Sequence, residues 1–297
     1  MKLNLKYMVA VCALASLAGC DDNLNTFEVG AEAAPATVEI ATVQSDPLPG
    51  QILLKWKAPE GDYSYLQIRY YDPLEKKDVY KIASKGTTEM LIDNTRARFG
   101  EYTFYLQTFN AAHQGGEIQE IKAKSGKAET TYTEKGRSEV KLTASQLSTN
   151  AQEPTEGPIA NLVDEKSNTF FHTRWSSPQI PLPHYIQVDF AEEHEDFAIY
   201  YQNRTDNTWT SDGRPSVVQL QISNDGIDWE TVTTLTGLPS VHSSEYTSDF
   251  LMPGKKYKYF RFLVTATSGN TSYFNMAKFA FYDVNVEVYD PETIPLD

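Results

Sequence analysis

The stretch LLKWKAPEGDYSYLQIRYYD, residues 53–72, alternates apolar and polar side chains on both sides of a short turn signal. The side chains that share the apolar face are Leu54, Trp56, Leu66, Ile68 and Tyr70. Because successive side chains of a strand point to opposite faces of its sheet, this alternation predicts two half-buried β-strands. The proline and glycine of APEGD, residues 58–62, mark the turn between them.

The same two-residue period recurs along most of the chain. Apolar positions alternate in YTFYLQTFN (102–110), YIQVDF (185–190), VVQLQIS (217–223), YFRFLVTA (259–266) and VNVEVYD (284–290). Loops rich in Asn, Asp, Gly, Ser and Thr separate these segments, and no long helical pattern follows the N-terminal region. The sequence therefore predicts an all-β protein with two β-sandwich domains in series.

Domain boundaries follow from a change in patterning. The segment YTEKGRSEVK, residues 132–141, is charged and has no apolar alternation, so we expect a linker over 134–138. This places a first domain at 37–133 and a second at 139–290, each of ordinary domain size, with a C-terminal tail at 291–297.

The N-terminus has the pattern of a secretory signal peptide. Lysines precede an apolar run too short to span a bilayer, and small residues follow it. The motif LAGC, residues 17–20, resembles the lipobox of bacterial lipoproteins, and Asp21-Asp22 is similar to the surface-export signal of Bacteroidota lipoproteins. This resemblance implies a signal peptide over 1–19, acylation at Cys20 with chains such as palmitate, a tether over 20–36, and a lipid-anchored place on the outer membrane facing the exterior. An ordinary signal peptide is the alternative.

Charge and cysteine content narrow the function. The formal net charge of −14 disfavours binding to nucleic acid, anionic lipid and polyanionic glycans, so a neutral ligand is expected. The cysteines, Cys12 and Cys20, lie in or next to the signal peptide, which leaves no thiol for a disulfide, a zinc site or a nucleophile.

No catalytic motif stands out. The chain lacks G-x-S-x-G, H-E-x-x-H and a phosphate-binding glycine loop, so we expect a non-catalytic protein without a cofactor. The 40 acidic residues leave a glycosidase with two paired carboxylates as an alternative.

Family resemblances refine both domains. Residues 53–72 together with YTFYLQTFNAAHQGGE (102–117) resemble a fibronectin type III domain, an Ig-like sandwich in which Trp56 is buried and Tyr102 is the tyrosine-corner residue. This resemblance carries a fold but no function.

The second domain resembles a discoidin domain, also called the coagulation factor 5/8 type C domain, which is a galactose-binding-like jelly-roll sandwich. The matching segments, in family order, are NLVDEKSNTFFHTRWSSPQIPLPHYIQVDF (161–190), RPSVVQLQISNDGIDWETV (214–232) and TSYFNMAKFAFYDV (271–284). Among bacterial relatives the resemblance is to the family 32 carbohydrate-binding modules. It implies that loops at one end of the sandwich bind sugar hydroxyls and stack an aromatic ring on the pyranose.

The resemblance also implies which residues bind. The expected ligand-binding residues are His172, Trp175, Arg204, Asn207, Asp212, Tyr273 and Phe274. His172 and Arg204 take the family's histidine and arginine positions, and Tyr273 or Phe274 supplies the stacking ring. Asp212 stands where the family has asparagine, with Asn207 as the other candidate acceptor.

Each of these residues also has a structural interpretation. His172 is equally consistent with a buried histidine bonded to the backbone, and Arg204 with a surface salt bridge. Trp175 or Trp209 shares the stacking role, or Trp175 packs in the core. Trp229 is expected in the core or in turn packing.

Calcium is not expected. The family often holds a structural calcium through carboxylates, but Lys166 and Lys278 stand at two of those positions, and only Asp164 remains. Cations at ligand positions repel calcium, which needs six to eight oxygen ligands. We expect no metal, with lysine ammonium groups substituting for its charge.

Taken together, the sequence predicts a non-catalytic, carbohydrate-binding surface lipoprotein that captures neutral, galactose-type glycans for neighbouring uptake or hydrolase proteins. The alternative is a structural or adhesive lipoprotein whose discoidin-like domain binds a protein partner.

Overall fold

The computed structural model describes residues 33–166, 168–205 and 212–295. The described chain divides into two compact units, of which the first comprises residues 33–130 and 289–295 and the second lies within residues 131–288. Both are built from β-strands, and the described residues contain no α-helix, which confirms the all-β prediction. Within those ranges, no helix has the length and apolar character needed to cross a membrane.

The first unit is a sandwich of a three-stranded and a four-stranded antiparallel sheet. The smaller sheet has the order β1-β2-β5: β1 (Gln44–Leu48), β2 (Gln51–Lys55) and β5 (Glu89–Ile92). The larger has the order β4-β3-β6-β7: β4 (Lys77–Ser84), β3 (Tyr65–Asp72), β6 (Glu101–Phe109) and β7 (Gln119–Lys124).

The apolar faces predicted from the alternation form the core between these sheets. The predicted side chains that are buried there are Leu54, Trp56, Leu66, Ile68, Tyr70, Tyr102, Phe104 and Leu106, and Ile52 of β2 joins them. The Tyr102 hydroxyl accepts a hydrogen bond from the Arg96 backbone N–H at 2.8 Å and donates to the Arg96 carbonyl at 3.3 Å. Tyr102 therefore anchors the chain just before β6, as expected of a tyrosine corner.

The second unit has a five-stranded sheet, a four-stranded sheet and a two-stranded pair. The first has the order β14-β13-β16-β11-β9: β14 (Glu230–Leu235), β13 (Pro215–Ser223), β16 (Tyr257–Thr267), β11 (His184–His194) and β9 (Leu147–Ser148). The second has the order β15-β12-β18-β8: β15 (Glu245–Thr247), β12 (Phe197–Gln202), β18 (Lys278–Tyr289) and β8 (Thr131–Val140). The pair is β10 (Phe171–His172) with β17 (Asn275–Met276).

Aromatic rings fill the core of the second unit. Phe260 lies at the centre, with its ring 5.5 Å from that of Phe197 and 5.2 Å from that of Phe281, both edge-to-face. The alternation predicted for β11, β13 and β16 is confirmed, because every second side chain of each quoted segment is buried: Ile186, Val188, Phe190, Val218, Leu220, Ile222, Phe260, Phe262 and Val264. In β18 it holds only at first, because Val284 is buried whereas Val288 is 51% exposed.

Strand register defines the end of the second unit that carries the candidate site. Pro215 pairs with Thr267, and His184 pairs with Val264, so β11 and β13 begin where β16 ends. The described loop residues that follow or precede these positions emerge at this end, which we call the loop end: residues 173–183, 203–205, 212–214 and 268–274.

Two predicted boundaries are wrong. The expected linker at 134–138 lies inside β8, which is an edge strand with most side chains exposed and therefore shows no apolar alternation. The described part of the expected 291–297 tail, residues 291–295, belongs to the first unit, where the Glu292 carboxylate accepts hydrogen bonds from the backbone N–H groups of Ala97, Arg98 and Ala128.

Candidate functional site

Four side chains from three segments of the chain meet at the loop end. The rings of His172, in β10, and Tyr273, just before β17, have centroids 5.1 Å apart because His172 pairs with Asn275. The Phe170 ring lies edge-on to His172 at 6.4 Å, and the Arg204 guanidinium lies 3.4 Å above the Phe170 ring centroid. We call Phe170, His172, Arg204 and Tyr273 the rim cluster.

His172 is held in one orientation and, when neutral, in one tautomer. It is 5% exposed, and its Nδ1 lies 2.6 Å from the Thr173 carbonyl oxygen. Since a carbonyl only accepts, Nδ1 carries the proton and Nε2 has the free lone pair. Burial lowers the pKa of His172 and outweighs the hydrogen bond to the Thr173 carbonyl and the charge of Glu156, which raise it; the charge of Arg204 adds a smaller lowering effect. At neutral pH the ring therefore presents Nε2 as an acceptor for a hydroxyl group.

Arg204 is oriented by stacking. Its guanidinium carbon lies within close cation–π distance of the Phe170 ring centroid, and both residues are partly buried. Because all five N–H donors of a guanidinium lie in its plane, the stack also fixes the directions in which Arg204 donates.

Glycines bring the backbone against this cluster. Gly213 has φ +71°, and a Cβ added there would lie 2.7 Å from Tyr273 Cε2 and 2.8 Å from Asn275 Nδ2. A Cβ on Gly269 would overlap the Asp212 carboxylate. Only glycine, which has no Cβ, allows the backbone to come this close at both positions. The loop that carries Asp212 and Gly213 therefore packs directly against the loop that carries Gly269 and Tyr273.

Trp175 is an exposed residue of the same end, so the core-packing alternative is wrong. The side chain is 43% exposed, and its Nε1–H donates to Glu156 Oε1 at 2.9 Å. The backbone N–H groups of Trp175 and Ser176 donate to Glu153 Oε2 at 3.2 and 3.1 Å. The Trp175 loop is thus attached to a carboxylate 22 residues earlier in the chain, on the other side of β10.

Glu153 is the important residue that sequence reasoning missed. It is 2% exposed, and its Oε1 accepts bonds from the Thr155 N–H and hydroxyl. Burial opposes ionisation, but the hydrogen bonds from Thr155 and Ser176 outweigh it and lower the pKa of Glu153 to about 2. No local pattern marks this residue, because its partners Trp175 and Ser176 lie 22 and 23 positions away.

Two aromatic predictions are settled by burial. Phe274 is wrong as a stacking residue, because it is fully buried and packs edge-on against Phe171 at 5.6 Å. Its neighbour Tyr273 is partly exposed and faces His172 instead. Trp229 is in turn packing as predicted, with its Nε1–H bonded to the Gly226 carbonyl at 3.2 Å.

Some predicted residues lie outside the described residues. Asn207 and Trp209 fall in residues 206–211, and Cys20 falls in residues 1–32. Their roles stay predictions.

The residues present do not fit a calcium ion. Asp164 Oδ1 accepts hydrogen bonds from the Lys166 N–H at 3.0 Å and the Thr169 hydroxyl at 2.9 Å. Over the described ranges no three His, Cys, Asp or Glu side chains come together as a metal site. Lys278 lines a separate cavity with Glu165 rather than completing an oxygen shell.

Comparison with known proteins identifies the class of the second unit. Residues 141–279 match the family model of the F5/8 type C domain, so this part of the chain is an F5/8 type C domain. Carbohydrate-binding modules of family 32 are among the solved structures that resemble the chain.

One such module, CBM32-5 from Clostridium perfringens in complex with GalNAc-β-1,3-galactose, is 19% identical, with a TM-score of 0.41 over 48% of this chain and 99% of the module. The family 32 module of C. perfringens NanJ in complex with galactose is 18% identical, with a TM-score of 0.40 over 50% of this chain and 99% of the module. A SusE-like protein, BT2857, is 13% identical, with a TM-score of 0.39 over 85% of this chain and 99% of that protein.

Proposed function

We propose that the F5/8 type C domain binds a neutral glycan, of galactose type, at the rim cluster. The observation that carries this proposal is the convergence of a fixed acceptor, a fixed planar donor and an aromatic ring at one end of the sandwich. These are His172 Nε2, the Arg204 guanidinium and the Tyr273 ring.

Each group matches one feature of a hexose. A sugar hydroxyl donates to His172 Nε2 and accepts from Arg204, so neighbouring hydroxyls are held by opposite hydrogen-bonding roles. The C–H face of the pyranose packs on the Tyr273 ring, which has few rotatable bonds to immobilise. Few ligand atoms are buried at such an edge, so the expected dissociation constant for a monosaccharide is about 0.1–1 mM.

The net charge supports a neutral ligand. At −14 the chain repels sulfated or other polyanionic glycans as well as nucleic acid. Within the rim cluster the one formal cation, Arg204, is already committed to the Phe170 ring.

In the cell, we infer that the protein acts without catalysis, anchored to the outer membrane by lipid on Cys20 and facing the exterior. There it would hold glycans near uptake or hydrolase proteins. Support for the anchor comes from the LAGC motif and the two aspartates that follow it.

A glycan-array screen of the full chain, followed by titration calorimetry, tests the site. His172→Ala and Tyr273→Ala are expected to weaken binding of any hit by at least about tenfold, since each removes one hydrogen bond or stacking contact. Circular dichroism verifies that each variant is folded.

Arg204→Ala has a matched control in the same domain. The Arg261 guanidinium also stacks on aromatic rings, 4.1 Å from Tyr185 and 3.9 Å from Trp229, but it lies in the middle of β16 rather than at the loop end. Arg204→Ala should abolish binding, whereas Arg261→Ala should leave it unchanged. A folded protein that binds no neutral or acidic glycan would contradict the proposal and favour the protein-binding alternative.

A further inference from the structure

The first unit has a polar and aromatic cavity of its own. It has a volume of about 290 Å³ and opens on the outer face of the four-stranded sheet. Its lining residues alternate in chemistry, with Tyr71, Phe99 and Tyr105 as aromatic walls and Arg69, Asp78 and Glu101 as charged groups.

Strand register places these groups together. Arg69 of β3 pairs with Tyr80 of β4 on one side and with Tyr105 of β6 on the other. Its guanidinium lies 4.3 Å from the Tyr105 ring centroid, and its Nη1 lies 3.4 Å from Asp78 Oδ2. The central donor of the cavity is therefore positioned from two sides before any ligand arrives.

Tyr71 provides an open aromatic surface beside this donor. Its side chain is 55% exposed although a ring of this size gains from burial. It pairs with Asp78, so the exposed ring and the acceptor oxygens of that carboxylate lie on facing positions of adjacent strands.

We propose that this cavity, lined by Tyr71, Arg69 and Asp78, is a second binding site for a neutral oligosaccharide. Hydroxyl groups both donate and accept, and the cavity offers fixed donors on Arg69 and acceptors on Asp78 and Glu101. Two carboxylates against one guanidinium disfavour an anionic ligand. Charged groups across the floor also disfavour an apolar peptide, which would leave them desolvated without partners.

Two weak glycan sites on one chain would raise the affinity for long glycans relative to short ones. A glycan long enough to reach both would bind more tightly than a monosaccharide does, since the second contact becomes intramolecular. The site belongs to the first unit and the rim cluster to the second, so its test does not depend on the glycan function proposed for the second unit.

The experiment uses an array of neutral oligosaccharides built on galactose, glucose, mannose and N-acetylhexosamines. The full chain is compared with a His172→Ala, Arg204→Ala double variant and with the same variant carrying Tyr71→Ala. The double variant is expected to keep a weak signal on at least one oligosaccharide. Adding Tyr71→Ala should reduce that signal by at least about tenfold, which corresponds to loss of a stacking contact.

Two further variants remove ambiguity. Tyr132, in the second unit, is 52% exposed, so Tyr132→Ala controls for loss of an exposed tyrosine and should change nothing. Arg69→Lys keeps the charge but loses the planar stack on Tyr105, and should weaken the retained signal by about fivefold or more.

Failure of this inference and failure of the rim-cluster function give different results. If the double variant binds no oligosaccharide on the array, or binds with an affinity that Tyr71→Ala does not alter, the second site is refuted. Binding to a protein that depends on Tyr71, without any glycan signal, refutes it equally. If the full chain shows no glycan binding that depends on His172, only the rim-cluster function of the second unit is contradicted.

Discussion

Replacing Glu153 with glutamine should destabilise the second unit by about 2–3 kcal/mol at neutral pH. The carboxylate accepts two hydrogen bonds on each oxygen, from Thr155 on one side and from Trp175 and Ser176 on the other. In its better orientation, the amide of Glu153→Gln keeps its oxygen toward Trp175 and Ser176 and donates to the Thr155 hydroxyl. The Thr155 N–H then loses its acceptor.

This magnitude has two parts. A buried N–H without a partner costs about 1–3 kcal/mol, and loss of charge from the remaining bonds weakens each of them. For a unit of this size, about 2–3 kcal/mol corresponds to a fall in Tm of roughly 5–10 °C. Differential scanning calorimetry of the full chain at pH 7 measures it.

The effect also has a defined pH dependence. Because the folded-state pKa of Glu153 lies near 2, below its ordinary value of 4.5, the wild-type carboxylate stabilises the fold above about pH 4.5. That contribution is lost as the pH falls from there toward 2. Glu153→Gln should therefore show a smaller decrease in stability than the wild type between pH 5 and about pH 2.

Glu156→Gln is the matched control, because Glu156 is in the same loop and bonds only the Trp175 indole among the described contacts. Its amide oxygen can accept the same bond, so Tm should change little. If Glu153→Gln melts within about 2 °C of wild type at pH 7, or keeps the full acid sensitivity, the assignment of Glu153 as the anchor of the Trp175 loop is wrong.

Three further predictions concern single groups. Glycan affinity should fall on acidification with a midpoint below pH 6.5, the ordinary pKa of histidine, since burial lowers the pKa of His172 and a protonated Nε2 cannot accept; calorimetry from pH 8 downward measures it. Gly213→Ala should weaken glycan binding at least about tenfold, because a Cβ at 2.7 Å displaces the Tyr273 ring and φ +71° is strained for alanine; an unchanged affinity would refute this placement. Tyr102→Phe should lower the free energy of unfolding in urea by about 1–2 kcal/mol, since the Arg96 N–H loses its acceptor. An unchanged free energy of unfolding would show that this tyrosine corner does not stabilise the first unit.

Strands with one buried face and one solvent-exposed face can be predicted from the sequence. Leu66, Ile68 and Tyr70 in β3 are an example, because a buried face forces a strict alternation that is visible without any partner strand. The same reasoning fails for β8, whose position at a sheet edge leaves nearly all its residues exposed. A strand held by backbone pairing rather than by side-chain burial has no apolar signature.

For the candidate site, the sequence predicts the position of some residues but not of all. Motif order placed His172 and Arg204 at the loop end, but it could not decide between Tyr273 and Phe274. These residues are adjacent, and a shift of one position exchanges the exposed face for the core. Glu153 was not found at all, because a buried carboxylate is recognisable only through partners far away in the chain.

The return of the last residues to the first unit has a consequence for biogenesis. The acceptor for the N–H groups of Ala97, Arg98 and Ala128 is Glu292, which is synthesised only after the whole of the second unit. At translation rates of about 5–20 residues per second, the first unit waits for many seconds without it. A nascent chain stopped at Val288 would hold every residue of the second unit and still lack part of the first, so the N-terminal unit is the last to be completed.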